Sequence, residues 1–172
     1  MCGISGILGR DGCEIDKKSI MNISDRMVLR GPDAGGVFVD GKVGLAHRRL
    51  SIIDLSTGNQ PMKVDDGRLI IVYNGEVYNF IKIREELISL GHTFQSTSDT
   101  EVVVRCYLEY GIEGCLSRLE GMFAFAIYDK QRKKVYIARD RYGEKPLYYY
   151  EDNHAFYFAS ELKAFAPSFE KF

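Results

Sequence analysis

Gly121-Met122-Phe123-Ala124-Phe125-Ala126-Ile127-Tyr128 reads as a β-strand that is apolar on both faces. Successive side chains of a strand point to opposite sides, so a sheet with one wet face needs alternation. Phe123–Ile127 has none, which predicts a strand lying between two covering layers. After the polar turn Asp129–Lys133, Lys134–Ala138, Leu147–Tyr150 and Phe156–Ala159 read as further strands, with Glu151–His154 as a second turn. At the other end, Ile4–Leu8, Gly36–Val39 and Val43–Ala46 are short strands, the last two joined tightly at Gly41-Lys42. Leu69–Tyr73 is a β-rich run ending at Asn74-Gly75, a strong turn signal. Helices are predicted at Lys17–Leu29, with Asp16 as cap, at Phe80–Leu90, ended by Gly91, and at Glu101–Tyr110, closed by Gly111. Strands at both ends with helices gathered in the middle favour an α+β layered fold over a parallel doubly wound sheet.

Composition narrows the function. The chain has 172 residues, 45% hydrophobic and 27% charged, enough to bury a core without a disulfide or metal staple. Its 23 basic and 24 acidic residues leave a net charge of −1, which gives no basis for nucleic acid as a main ligand. No apolar run approaches a membrane span, and no basic region precedes an apolar core at the N-terminus. A cytoplasmic chain with reduced thiols is the expectation. Gly36–Lys42 has phosphate-loop spacing, but Val43 stands where a magnesium-binding hydroxyl is required, so a nucleotide site is rejected. His47, His92 and His154 are far apart and no Cys-x-x-Cys exists, so no metal site is expected. Cys13, Cys106 and Cys115 read as structural thiols.

Cys2 differs by position. Removal of the initiator Met1, favoured before a small side chain, would make it the first residue. A terminal cysteine carries a thiol, ordinarily near pKa 8.5, and an α-amine near 7.7–8.0. The amine can accept the thiol proton, directly or through a water. Gly3-Ile4-Ser5-Gly6 behind it combines close-approach glycines with β-formers that tie the end into a sheet.

From Met1-Cys2-Gly3-Ile4 onward the chain resembles the class II glutamine amidotransferases, a branch of the N-terminal-nucleophile hydrolases. Arg30-Gly31-Pro32-Asp33 resembles the family's glycine turn. Leu45–Asp54 resembles its substrate-carboxylate segment, and Tyr73-Asn74-Gly75-Glu76-Val77-Tyr78-Asn79 its oxyanion segment. Ser98-Asp99-Thr100-Glu101, Gly121–Ala126 and Arg139–Tyr148 fit as well. Within the class, Arg30–Asp33, Arg49–Asp54 and Ser160-Glu161-Leu162-Lys163-Ala164 are most similar to the N-terminal domain of glutamine-hydrolysing asparagine synthetases.

The resemblance implies a four-layer αββα sandwich, two mainly antiparallel sheets between helical layers, spanning 1–172 as one glutaminase domain. It implies Cys2 as nucleophile, with the Asn74 side chain and the Gly75 N–H as oxyanion donors. It implies a glutamine pocket from Arg49, Leu50, Ser51, Ile52, Ile53, Asn74, Gly75, Glu76 and Asp99. Arg49 would grip the α-carboxylate and Asp99 the α-ammonium, with Glu76 assisting. For Arg49 the bland alternative is a solvated strand-end charge; for Asn74-Gly75 it is a hairpin turn, which would leave its N–H groups free. For the charges of Arg139–Tyr148 it is an ordinary polar hairpin. No cofactor is implied for this domain. ATP and magnesium belong to a downstream synthetase domain whose Ser-Gly-Gly-x-Asp-Ser loop does not occur here. Glutamine and that domain are the expected partners, with a homodimer possible for the full-length protein.

Overall fold

The first strand of the chain, β1 (Gly3–Gly9), is the central strand of a five-stranded sheet. The computed structural model describes residues 1–50 and 59–166. Beside β1 lie β2 (Ala34–Asp40) and β3 (Val43–Arg49) on one side, in the order β2-β3-β1-β9-β8. A second sheet has the order β4-β5-β6-β7, from β4 (Met62–Val64), β5 (Leu69–Val77), β6 (Gly121–Asp129) and β7 (Lys134–Arg139). The first sheet is completed by β8 (Tyr148–Glu151) and β9 (Ala155–Ala159). Every strand pair is antiparallel.

The sheets face each other through Ile4, Leu45, Ile70, Val72, Ala124 and Phe158. α1 (Lys17–Asp25) covers the outer face of the five-stranded sheet, where Ile20, Ile23 and Met27 meet Ile7 and Ala46. α2 (Phe80–Ser89) and α3 (Asp99–Arg118) cover the four-stranded sheet through Ile83, Leu87, Val103 and Tyr107. The result is the expected αββα sandwich. It explains why β6 lacks alternation: Ala124 and Ala126 face the opposite sheet, while Phe123, Phe125 and Ile127 face the helices.

Most elements fall where the sequence places them; β4 has no counterpart in the sequence reading, and three other elements differ. Asp16 caps α1, its carboxylate accepting the Ser19 N–H at 2.7 Å, but the helix stops at Asp25. The chain then turns so that Gly31 can cross β3; a Cβ there would stand 2.4 Å from the Arg48 carbonyl oxygen. Gly111 does break the third helix, with φ 69°, yet α3 resumes as far as Arg118, packing Cys115 into the core. The clearest correction is at Asn74-Gly75. These residues do not turn: they sit inside β5, opposite Ala124 and Phe123. Gly75 serves close approach instead, since a Cβ would lie 2.4 Å from the Met122 carbonyl oxygen.

The N-terminus is tied down from two directions. The Ser160 hydroxyl accepts the Ile4 N–H at 3.0 Å, and the Ser160 N–H donates to the Ile4 carbonyl at 2.9 Å. The Arg30 Nε donates to the Cys2 carbonyl at 2.7 Å. Ile4 and Ser160 are fully buried, so Ser160→Ala leaves a buried N–H unsatisfied. We expect that variant to lose about 1–3 kcal/mol of stability, measured by urea unfolding, with no change in the native circular dichroism spectrum.

Candidate active site

A cavity of about 460 Å³ opens at one end of the inter-sheet layer. Strand alternation explains what lines it. Cys2, just before β1, and His47 and Arg49 of β3 share the inner face with Ile4 and Leu45. Asn74 shares the inner face of β5 with Ile70 and Val72. Cys2, Arg49, Leu50, Asn74, Gly75, Glu76 and Asp99 all line this one cavity. Ser51, Ile52 and Ile53 lie outside the described residues.

Each group has a defined setting. The Cys2 Sγ is directed at the Leu50 carbonyl, 3.7 Å away. Arg49 is not a solvated strand end; it is 7% exposed, and its Nη1 donates to the Asn59 Oδ1 at 3.4 Å. Asn74 is 4% exposed, and among the described residues its buried Nδ2 has no hydrogen-bond partner. A buried donor left unpaired is costly, so this amide is poised for an acceptor entering the cavity.

The Gly75 N–H follows from parity. The Tyr73 N–H donates to the Gln60 Oε1 at 2.6 Å, and the Val77 N–H to the Asp99 Oδ2 at 3.0 Å. Both partners lie off the edge of β5 that faces away from β6. N–H groups alternate sides along a strand, so the Gly75 N–H points to that same edge. β4 covers the edge only alongside Leu69–Ile71. The donor that a hairpin turn would have exposed thus lies on a strand edge that, among the described residues, no neighbouring strand covers.

Asp99 begins α3, one residue after the cap Ser98, whose hydroxyl accepts the Thr100 N–H at 3.1 Å. Its Oδ2 also accepts the Tyr73 hydroxyl at 2.7 Å. Burial raises the Asp99 pKa above the ordinary carboxyl value, against the lowering effect of these hydrogen bonds. His47 is 1% exposed, and burial, with Arg49 nearby, pushes its pKa down to about 4; it is neutral at physiological pH.

His47, Gln60, Tyr73 and Lys145 also line the cavity, and sequence reasoning assigned none of them a role there. His47 stood in the quoted Leu45–Asp54 stretch, which was its only signal. Tyr73 and Lys145 likewise stood in the Tyr73–Asn79 and Arg139–Tyr148 stretches, and Gln60 carried no signal. The Arg139–Tyr148 segment is no ordinary polar hairpin. Its Asp140 is 6% exposed and accepts the N–H groups of Phe123, Tyr142, Glu144 and Lys145 at 2.9–3.2 Å. These four donors outweigh burial and hold its pKa below the usual carboxylate value.

With a half-buried thiol at the head of β1, an amide donor unpaired among the described residues, a strand-edge N–H, a guanidinium and a carboxylate around one space, the comparisons with known proteins are specific. The chain belongs to the glutamine amidotransferase domain family, whose model matches residues 1–171. Its curated relatives include asparagine synthetase [glutamine-hydrolyzing] 1 of Bacillus subtilis, 44% identical over 95% of this chain and 26% of that protein. A probable asparagine synthetase [glutamine-hydrolyzing] of Schizosaccharomyces pombe is 38% identical over 99% of this chain and 31% of that protein. The chain therefore spans between a quarter and a third of the length of these relatives. Among solved structures, a glutamine phosphoribosylpyrophosphate amidotransferase from B. subtilis aligns with a TM-score of 0.80 at 25% identity. The alignment covers 96% of this chain and 43% of that one. The fold is that of the N-terminal-nucleophile amidotransferases.

The raised Asp99 pKa has a measurable sign. Between the unfolded carboxyl value and the raised one, the folded chain binds more protons than the unfolded chain. Stability is therefore lost as pH rises through that window. Asp99→Asn removes the partly desolvated charge and keeps an acceptor for Tyr73 and Val77. Urea unfolding should find the variant's stability relative to wild type higher at pH 7 than at pH 3.5.

Proposed function

We propose that this chain hydrolyses glutamine to glutamate and ammonia, with Cys2 as nucleophile and a glutamyl thioester as intermediate. The observation that carries the reading is the shared cavity: a thiol at the N-terminus, a buried amide donor unpartnered among the described residues, a buried guanidinium and a half-buried carboxylate. These are the partners that a neutral carboxamide, an α-carboxylate and an α-ammonium require.

The reaction begins with removal of Met1, which frees the Cys2 α-amine to act as base. Met1 lines the same cavity, so its removal also enlarges the space at the nucleophile. Arg49 binds the α-carboxylate, a planar anion suited to a guanidinium fork. Asp99 pairs with the α-ammonium, whose charge draws the half-buried carboxyl into its ionised form. Glu76, exposed at the rim, adds negative charge on the same side. Leu50, Ser51, Ile52 and Ile53 are the remaining pocket residues of this reading.

The α-amine takes the thiol proton, and the thiolate attacks the side-chain carbonyl carbon. The tetrahedral oxyanion accepts hydrogen bonds from the Asn74 Nδ2 and the Gly75 N–H. Collapse breaks the C–N bond as the α-ammonium returns its proton to the departing ammonia. Water then attacks the thioester, the amine again taking a proton, and glutamate leaves with the thiol restored. No cofactor enters these steps.

The relatives are named for asparagine synthesis. We propose that the ammonia made here serves an ATP- and magnesium-dependent synthetase segment that amidates aspartate. Dimerisation would be a property of that larger protein, and the cytoplasm its compartment.

Cys2→Ala should release no glutamate from glutamine above the uncatalysed rate; activity retained in that variant overturns the mechanism. Asn74→Ala should lower kcat by ~10²–10³ while changing KM far less, since the lost donor acts on the oxyanion. In the protein freed of Met1, activity should rise between about pH 6 and 8 as the α-amine loses its proton. A preparation that mass spectrometry shows to retain Met1 should be inactive.

A further inference from the structure

Lys145 is 8% exposed and lines the cavity at the Cys2 end. Among the described residues its one side-chain partner is a thioether: the Nζ lies 3.8 Å from the Met1 Sδ. No carboxylate pairs with it among the described residues. A lysine this deeply buried is ordinarily matched by an acid, because an uncompensated buried ammonium is strongly disfavoured. Here the rest of the segment is built to keep it in place. Asp140 accepts the Lys145 N–H at 3.0 Å, and the Arg139 Nε donates to the Lys145 carbonyl at 2.7 Å. Arg139 also donates to the Gly143 carbonyl at 2.5 Å. The backbone is anchored on both sides, and the ammonium is directed at the first residue of the chain.

The path from the Met1 Sδ to the Cys2 nitrogen is one side chain and one carbonyl long. The ammonium thus lies within roughly 10 Å of the nitrogen that becomes the α-amine. Other groups share this space. Arg30, which holds the Cys2 carbonyl, is matched by Glu161 at 3.8 Å. Arg49, Glu76 and Asp99 surround the substrate end of the cavity, Tyr73 is bound to Asp99, Tyr78 stands at the rim, and His47 is neutral. Among the described residues, Lys145 is the cation at the nucleophile end with no acid paired to it.

We propose that Lys145 is a positioning residue for the nucleophile: its unmatched ammonium, held over the N-terminus by the Asp140 bracket, favours the Cys2 thiolate and disfavours protonation of the α-amine. Both effects make the thiol–amine pair active at lower pH. The proposal rests on Cys2 being the nucleophile of the Met1-free chain, but its test does not pass through glutamine. Iodoacetamide, a small neutral reagent, alkylates the thiolate, and the N-terminal peptide reports Cys2 alone by mass. Across pH 5–10, Lys145→Met should move the midpoint of Cys2 alkylation up by about 0.5–1 pH unit. Lys145→Arg should restore the wild-type midpoint. In the wild type, 1 M KCl should raise the midpoint through screening. A Lys145→Met protein that is folded by circular dichroism and has the wild-type midpoint overturns the proposal. If that variant does not fold, a salt-independent wild-type midpoint does the same. Loss of glutaminase activity in the wild type would instead strike the reading of the preceding subsection and leave this shift untouched.

Discussion

The site depends on a chain end being held as if it were the middle of the chain. Termini fray because few contacts oppose it. Here β1 is flanked on both sides, by β3 and β9, and the exchange between Ile4 and Ser160 continues the β9 pairing toward the terminus. Arg30 then grips the Cys2 carbonyl itself. Three segments far apart in sequence converge on the first four residues. A nucleophile on a mobile end would spend its time in solvent. The Cys2 thiol has a fixed direction relative to the opposite sheet, which carries the Asn74 amide.

The second sheet supplies the complementary constraint. β5 is paired along its whole length with β6 but only partly with β4. One edge is therefore left with backbone groups that the sheet does not consume. Gln60 takes one N–H and Asp99 another, and the Gly75 N–H between them remains. The open edge, the Asn74 amide unpaired among the described residues and the partly desolvated Asp99 carboxyl each carry a cost. Such costs gather at functional sites, where a ligand removes them.

Much of this was legible in the sequence, and the reasons it was or was not are physical. The double-faced apolar run at Phe123–Ile127 announced a strand between layers, because each face of a strand reports its own environment. Asp16 announced a helix start through its capping oxygen. Asn74-Gly75 misled because the same dipeptide suits a tight turn and a strand pressed flat against Phe123; only the partner strand decides between them, and it lies about fifty residues downstream. The roles of Cys2, Arg49 and Asp99 came from motif context, since no local periodicity distinguishes them from ordinary polar residues. Lys145 was hidden for a different reason. Its burial is created by the hub at Asp140, and a charged stretch such as Arg139–Lys145 reads as solvated until the four N–H groups converging on that carboxylate are seen.

The exposed margin of β5 has one further consequence. A row of unsatisfied main-chain groups is a template on which a foreign strand can grow, and proteins ordinarily blunt such margins. Gln60 and Asp99 occupy the rungs on either side of Gly75 with side chains in place of a neighbouring backbone. What is left is a gap one rung wide, open to a single small acceptor and too short for another polypeptide to zip into. The features that let the pocket recognise its guest thus also keep it from polymerising.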